Sequence, residues 1–418
     1  MKTKEVRLHG QNDLRLAEFE LPEIKDDEIL AHVISDSICM SSYKAAIQGS
    51  NHKRVPADLD KNPIIIGHEF CGEIVKVGKK WQDKYKEGER FTIQPALDGR
   101  LETPGYAYPY IGGAATYVII PALFIECNSL LHYDGDAFFY GSLAEPMSCI
   151  VGGFHVNYHT KGGSYVHEMG IVKGGNLAIL AGAGPMGLGA IDYAIHCDRK
   201  PGLIVVTDIN DERLARAAEI LSPEMAKKEG VELKYINTAN MADPTAELLA
   251  LTGGKGYNDV YVYAPVKPVV EMGDALLAHD GCLNFFAGPT DPKFNANFNF
   301  YNVHYAATHI AGNSGGNTDD MIESITMMQE GKIDPAAMVT HIGGLNAVAE
   351  TTLNLPKIPG GKKLIYPNID LELTAIDDFE KLGETNPMFA ELAKITKANK
   401  GLWCAAAEKY LLANAKSI

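Results

Sequence analysis

A strand-like apolar run, NLAILA (176–181), leads straight into Gly182, Ala183, Gly184, Pro185, Met186 and Gly187, and a helical pattern follows. Few features restrict a fold as tightly. In a GxGxxG turn the first glycine makes the tight turn, the second lets backbone approach a pyrophosphate, and the third lets the helix pack close to the strand. The free N–H groups and positive dipole end of that helix would then face the phosphates. The next strand, LIVVTD (203–208), ends in Asp208, 21 residues after Gly187 (208 − 187 = 21). Gly182, Gly184, Pro185, Met186 and Gly187 are therefore expected to form a dinucleotide turn. An acid at 208 binds both ribose hydroxyls and repels a 2′-phosphate, which favours NAD over NADP. Arg213, five residues on, is placed to soften that choice. The same glycines give Leu177–Ile195, the one stretch apolar enough to mimic a membrane span, the meaning of a buried strand and helix.

From Asn176 onward strands alternate with helices. LIVVTD is followed by the helical DERLARAAEIL, then KYINTA (234–239), DVYVYAP (259–265), a helical stretch over 268–279 and CLNFFAG (282–288). That rhythm predicts a doubly wound parallel sheet. The first third instead alternates short β runs with turn signals: EILAHVIS (28–35), CGEIVKVG (71–78), ERFTIQP (89–95) and AATYVIIP (114–121). Such spacing predicts an antiparallel barrel-like or sandwich domain. After Tyr305 come another short strand in HIAGNSGG, a helix opening at NTDDMIES, and a largely helical end broken at Asn386 and Pro387. The expected plan is α/β: a β-rich domain over 1–173, a nucleotide-binding domain over 174–306, and a return to the first domain with a helical extension over 307–418. A length of 418 residues suits two or three cores at roughly 150 residues each.

Lys and Arg number 38 against 53 Asp and Glu, a formal net charge of −15. Such a surface repels phosphate backbones and anionic lipid, so nucleic acid and membrane are not expected partners. Seven scattered cysteines without a CxxC pair fit a reducing cytoplasm better than a disulfide framework. The opening MKTKEVRLHGQ carries charges where a signal peptide needs its apolar run.

Ahead of the dinucleotide turn lies a set of potential metal donors: Cys39 in DSICMSS, His68 and Glu69 in GHE, and Glu145 in LAEPM. Each has an ordinary reading alone, as a core cysteine, a His–Glu pair, or a Glu-Pro that starts or ends a helix. Together, a thiolate, an imidazole and one or two carboxylates suit a zinc ion that keeps an open position. His155, His159 and His167 lack such spacing and are expected to shape a surface loop.

These residues, with Ser41, GHEFCGEIVKVG (67–78), Glu145-Pro146, GAGPMG (182–187) and GNSGGNTDD (312–320), make residues 1–367 resemble the zinc-dependent medium-chain dehydrogenases, among them alcohol, sorbitol and threonine dehydrogenases. Within that family the segment 154–176 and the tail after Asn368 are most similar to the L-sorbose 1-phosphate reductases. The resemblance implies a GroES-like β-rich catalytic domain beside a Rossmann domain. It implies one catalytic zinc on Cys39, His68 and either Glu69 or Glu145, with Ser41 starting a proton path, Glu69 in a catalytic position and Asn313 near the cofactor. Lys44 stands where several relatives carry a proton-relaying His. The stretch 95–113, where most relatives place a four-cysteine lobe, has no cysteine, so no structural zinc is expected. Trp81, in place of a small or apolar residue, reads as a local packing change. Alternatively, Lys44 with His52, Lys53 and Arg54 is either a solvated basic loop or, in so acidic a chain, the local exception that a substrate phosphate would need. The activity implied is zinc- and NAD(P)-dependent interconversion of L-sorbose 1-phosphate and D-glucitol 6-phosphate, by a cytoplasmic homodimer or homotetramer. An unphosphorylated polyol or secondary alcohol dehydrogenase is the near alternative. A non-catalytic dinucleotide-binding protein is the alternative of a different kind.

Overall fold

Strand β1 (Ile29–Ile38) alternates buried and half-buried residues over its first half and is buried throughout its second. An alternating strand faces solvent on one side, whereas a fully buried one is covered on both. The strand stands within a sheet of eight strands. On one flank β1 pairs antiparallel with β2 (Phe70–Val77), which leads on to Arg90–Ile93 and Leu130–His132. On the other it pairs antiparallel with Lys362–Tyr366, which leads to Val339–Gly344 and Thr374–Ala375; Tyr117–Ile120 also pairs with β1. Glycine makes the β1–β2 approach possible, since a Cβ on Gly72 would lie 1.9 Å from the carbonyl oxygen of His32. This computed structural model describes residues 1–97, 100–162 and 164–418. Positions 98 and 99 of the cysteine-free stretch and 163 of the segment 154–176 lie outside the described residues.

Two units emerge: Met1–Pro146 with Asn317–Gln329 and Val339–Ile418, and Met147–Gly316 with Glu330–Met338. In the first, helix α1 (Met40–Gln48) starts directly after β1 with Cys39 as its extended N-cap residue. Helix α2 (Phe138–Val156) runs through Pro146, so the Glu-Pro pair lies inside a helix rather than at its end. The flanking sequence FFYGSLA and MSCIVGG is apolar enough for its tertiary burial to hold a helix across the lost N–H.

In the second unit, six parallel strands stand in the order Glu232–Asn237, β4 (Leu203–Asp208), β3 (Asn176–Leu180), Tyr257–Val262, Leu277–Phe285 and His309–Ala311. This is the doubly wound sheet that the strand–helix rhythm implies. The helix read over 268–279 ends at Ala275, and the strand expected from Cys282 already starts at Leu277. Leu277 pairs with Tyr257 and Cys282 with Asp259, so extra residues bulge out around Asp280, whose φ is +57°. The bulge hides the strand's period of two from the sequence.

His159 is buried, not on a surface loop. It lies in a hairpin of Tyr158–Thr160 with His167–Met169, its Nε2 3.1 Å from an Asp259 carboxylate oxygen and its Nδ1 2.9 Å from the Asp280 carbonyl. Those two partners sit 100 and more residues away in sequence, beyond the reach of local spacing. Among the described residues all seven cysteines are free, and no helix is long and apolar enough to cross a membrane.

Helix α3 (Pro185–His196) follows the glycine turn. A Cβ on Gly187 would lie 2.1 Å from the carbonyl oxygen of Gly182, and backbone cannot yield as a flexible side chain can. Gly187→Ala should therefore cost about 1–3 kcal/mol, as overpacking does, and should weaken nicotinamide nucleotide binding. Urea unfolding and nucleotide titration of the variant would check this; wild-type values for both would contradict the close packing.

Candidate active site

The GHE sequence is held by its first residue. Gly67 has φ +89°, a conformation that side chains rarely adopt, and a Cβ there would sit 2.4 Å from an Asp36 carboxylate oxygen. Turning at Gly67 delivers His68 and Glu69 to the start of β2, opposite the end of β1. Since Cys39 follows β1 immediately, strand pairing alone brings the three residues together. Their donor atoms lie within 4.8 Å of one another, and His68 and Glu69 are buried. Thiolate, imidazole and carboxylate at such separations fit a zinc ion by donor chemistry and by spacing.

Two hydroxyls surround this group. Ser41 Oγ donates to Cys39 Sγ at 3.0 Å and lies 3.4 Å from His68 Nε2; Ser42 Oγ lies 3.4 Å from His68 Nδ1. Glu69 is bound from behind: the Lys362 ammonium lies 2.5 Å from both of its oxygens, and the Ser37 hydroxyl donates to it as well. The ion pair is nearly closed to water, at 7% and 1% side-chain exposure. Burial opposes the charge on each partner, yet Lys362 holds the Glu69 carboxyl below its ordinary range, and Glu69 holds the Lys362 ammonium above its own.

Glu145, on α2, is buried too. Burial first, and then the negative charge of Glu69, push its carboxyl up to about 7, with His68 pulling the other way. Burial likewise lowers the His68 pKa, favouring the neutral imidazole that binds metals. Glu145 therefore belongs to the same electrostatic neighbourhood, but the compact donor triplet is Cys39, His68 and Glu69.

The basic group is brought close as well. Tyr106 packs on His68 with ring centroids 5.0 Å apart and stacks on His52 at 5.7 Å, and the Arg54 guanidinium carbon lies 5.2 Å from the Tyr106 ring centre. Arg54 Nε is buried without a hydrogen-bond partner. Burial lowers the pKa of His52, and the charges of Arg54, Lys53 and Lys44 lower it further. Lys53 is exposed; Lys44 lies on α1, three residues after Ser41.

In the second unit, α3 has Gly184 as its N-cap residue with no side-chain cap, and a Cβ on Gly184 would meet nothing within 4 Å. Open space beside an uncapped helix start fits a phosphate group. Asp208 closes the turn from behind, accepting from the backbone N–H of Ala183, Ile209 and Asn210. Arg213 is exposed on the helix after β4. The Asn313 amide donates to the Gly315 carbonyl, while its Oδ1 is buried without a partner. His159, Asp280 and His309 also place donor atoms within 4.8 Å. There every ring nitrogen already faces an oxygen, of Asp259, Asp280, Ala307 or Tyr158, so the group is best read as an ion-pair bolt on the hairpin.

Lys362, Ser37, Ser42 and Tyr106 escape the motif reading. Lys362 carries one signal in sequence, a pair of lysines opening the otherwise apolar strand KKLIY, both of them buried.

A β-rich domain presenting Cys, His and Glu, together with a parallel-sheet unit carrying a phosphate-type glycine turn, defines an alcohol-dehydrogenase-like oxidoreductase. The alcohol dehydrogenase GroES-like domain model matches residues 25–127, and the zinc-binding dehydrogenase model matches residues 185–330. The chain belongs to the zinc-binding dehydrogenase family. It is 54% identical over 406 residues to mannitol-1-phosphate 5-dehydrogenase of Aliivibrio fischeri, covering 96% of each chain. It is 49% identical over 418 residues to L-sorbose 1-phosphate reductase of Klebsiella pneumoniae, covering 100% of this chain and 98% of that one. The structure of 2R,3R-butanediol dehydrogenase from Bacillus subtilis matches with a TM-score of 0.70 at 21% identity, covering 88% of this chain and 100% of that one, a likeness of fold.

Replacing Lys362 with Met leaves Glu69 buried without its counter-charge, and breaking a buried pair in this way costs about 3–5 kcal/mol. Because the Glu69 carboxyl titrates below its ordinary range, its stabilisation is full above that range and is lost as pH falls through the depressed value. The stability gap between wild type and Lys362→Met, measured by denaturant unfolding, should therefore narrow on acidification. A gap independent of pH would contradict the pairing.

Proposed function

We propose that the protein is a zinc- and NAD-dependent reductase interconverting a ketose phosphate and a polyol phosphate, with L-sorbose 1-phosphate and D-glucitol 6-phosphate as the pair. The observation that carries the phosphate is Arg54. A buried guanidinium nitrogen without a partner, one aromatic ring away from the ligand His68, needs an anion, and in a chain of net charge −15 that need is specific. Lys44, His52 and Lys53 would complete the phosphate site. Two relatives of nearly full length bear the names of enzymes of hexose or hexitol 1-phosphates, in keeping with this reading.

Cys39, His68 and the carboxylates Glu69 and Glu145 would hold a single catalytic zinc, which when bound supplies a Lewis acid for the reacting oxygen. The chain's own groups do the rest. Arg54 would hold the phosphate at the far end of the sugar and so orient its carbonyl end. Ser41, hydrogen-bonded to Cys39, would pass its proton to the reacting oxygen, and Lys44, three residues on along α1, would take the next position on that path. Lys362 keeps Glu69 ionised, which preserves the donor charge of the site. The glycine turn and the uncapped start of α3 bind the nucleotide phosphates, Asp208 favours NAD through the ribose hydroxyls, and Asn313 offers its unpartnered oxygen to the cofactor.

The strand His309–Ala311 ends its sheet, and near it Phe300, Tyr301, Tyr305 and Ile310 are 50–75% exposed. An unpaired edge beside exposed aromatic residues favours a homodimer built on this edge. The free cysteines favour the cytoplasm.

The test measures NADH and NADPH oxidation with L-sorbose 1-phosphate, fructose 6-phosphate and the unphosphorylated ketoses, before and after chelation. Faster turnover of the phosphorylated sugars with NADH, abolished by chelation, is expected. Arg54→Gln should lower kcat/KM for phosphorylated substrate about 10- to 100-fold, the value of one or two charge-assisted hydrogen bonds, and leave unphosphorylated ketoses unaffected. Equal rates with and without phosphate would point to a plain polyol dehydrogenase, and no turnover at all to a binding protein. Light scattering should give twice the chain mass, falling to one with Ile310→Asp.

A further inference from the structure

The C-terminal tail sends one carboxylate deep into the first unit. Glu408, on the helix Ala405–Asn414, is 3% exposed and accepts the backbone N–H of Phe138 at 2.6 Å and of Phe139 at 2.8 Å. These are the first two residues of α2, the helix that carries Glu145 two turns further on. The first turn of α2 contains no acid of its own, so the tail supplies the acceptor oxygens that its orphan N–H groups need. The second Glu408 oxygen also accepts the Tyr366 hydroxyl at 3.0 Å, and that hydroxyl in turn accepts the indole N–H of the fully buried Trp403 at 2.7 Å. Tyr366 ends the strand that Lys362 begins, and residues four apart in a strand leave it on the same face. One carboxylate therefore ties the start of the helix bearing Glu145 to the strand bearing Lys362, the partner of Glu69.

We propose that Glu408 is a positioning residue of the active site, and that the tail is a brace setting the two carboxylates of the metal centre against each other. Removing one of the two Glu408 acceptor oxygens frees the start of α2 to shift along its axis, and Glu145 shifts with it. Lys362 loses the anchored end of its strand, and Glu69 loses part of its fixed orientation. The inference rests on the reading of Cys39, His68, Glu69 and Glu145 as a zinc site.

The experiment compares wild type, Glu408→Gln, Tyr366→Phe and Phe389→Leu as full-length proteins. Phe389 packs on Phe379, whose ring in turn meets Trp403 edge-on at 6.4 Å, so its variant loosens the tail's apolar packing while every hydrogen-bonding group of the Glu408 network is kept. Three readings are taken: melting temperature, the rate of zinc transfer to a chromogenic chelator, and kcat against KM for the nicotinamide nucleotide. Glu408→Gln should release zinc and lose kcat by about 10-fold, the range for partners behind metal ligands, with the nucleotide KM unchanged. Tyr366→Phe, which deletes the hydroxyl that donates to Glu408 and accepts from Trp403 and keeps the ring packing, should fall between it and wild type, and it carries the test should Glu408→Gln not fold. Phe389→Leu should lower the melting temperature and leave zinc release at the wild-type rate. The proposal is overturned if Glu408→Gln or Tyr366→Phe keeps wild-type zinc release and kcat. It is equally overturned if Phe389→Leu speeds zinc release as much at the same thermal loss. A wild-type protein that holds no zinc would defeat the reading of the site itself, a result visible before any variant is made.

Discussion

The ion pair between Glu69 and Lys362 is the interaction on which the first unit turns. Glu69 belongs to the GHE segment near the start of the chain and Lys362 to a strand almost three hundred residues later, yet the two groups meet in a place almost without water. Neither charge could be buried there alone, because the desolvation of either would exceed anything its surroundings return. The pair therefore requires the chain to come back to its first domain, and it fixes where the returning strand must lie against β1. The donor triplet stands on this frame, since Glu69 is at once a member of it and the anchor of the return.

A second constraint operates by the absence of side chains. Gly67 allows the left-handed turn that presents His68, Gly72 lets β2 lie against β1, and Gly187 lets α3 lie on the glycine turn. At each of these a Cβ would meet backbone or a buried carboxyl, so the glycines shape the two sites as directly as the polar side chains do. Around this rigid frame the polar side chains are layered: Ser41, Ser42 and Ser37 on the donors, then Tyr106 with His52 and Arg54.

Much of this is legible in the sequence. The GxGxxG turn, the acid at Asp208 and the strand–helix rhythm identify the parallel sheet, because each reports local geometry at fixed spacing. Cys39 and GHE are legible for a related reason, as each is placed by the strand beside it. What escapes depends on contacts distant in sequence. Lys362 looks like one more basic residue until the fold buries it; Glu408 looks like part of a solvated helix; His159 looks like a loop residue until Asp259 and Asp280 surround it. The strand from Leu277 is concealed by a bulge at Asp280, and α2 by a proline that tertiary burial tolerates.

The proposed centre is a single metal held by one thiolate, one imidazole and carboxylate oxygen, and X-ray absorption at the zinc edge of the purified enzyme reads those donors out. One zinc per chain is expected, with one sulfur at about 2.3 Å and nitrogen and oxygen neighbours at about 2.0–2.2 Å, and loss of the sulfur shell in Cys39→Ser. A sulfur-only shell, or an active enzyme without zinc, would contradict it.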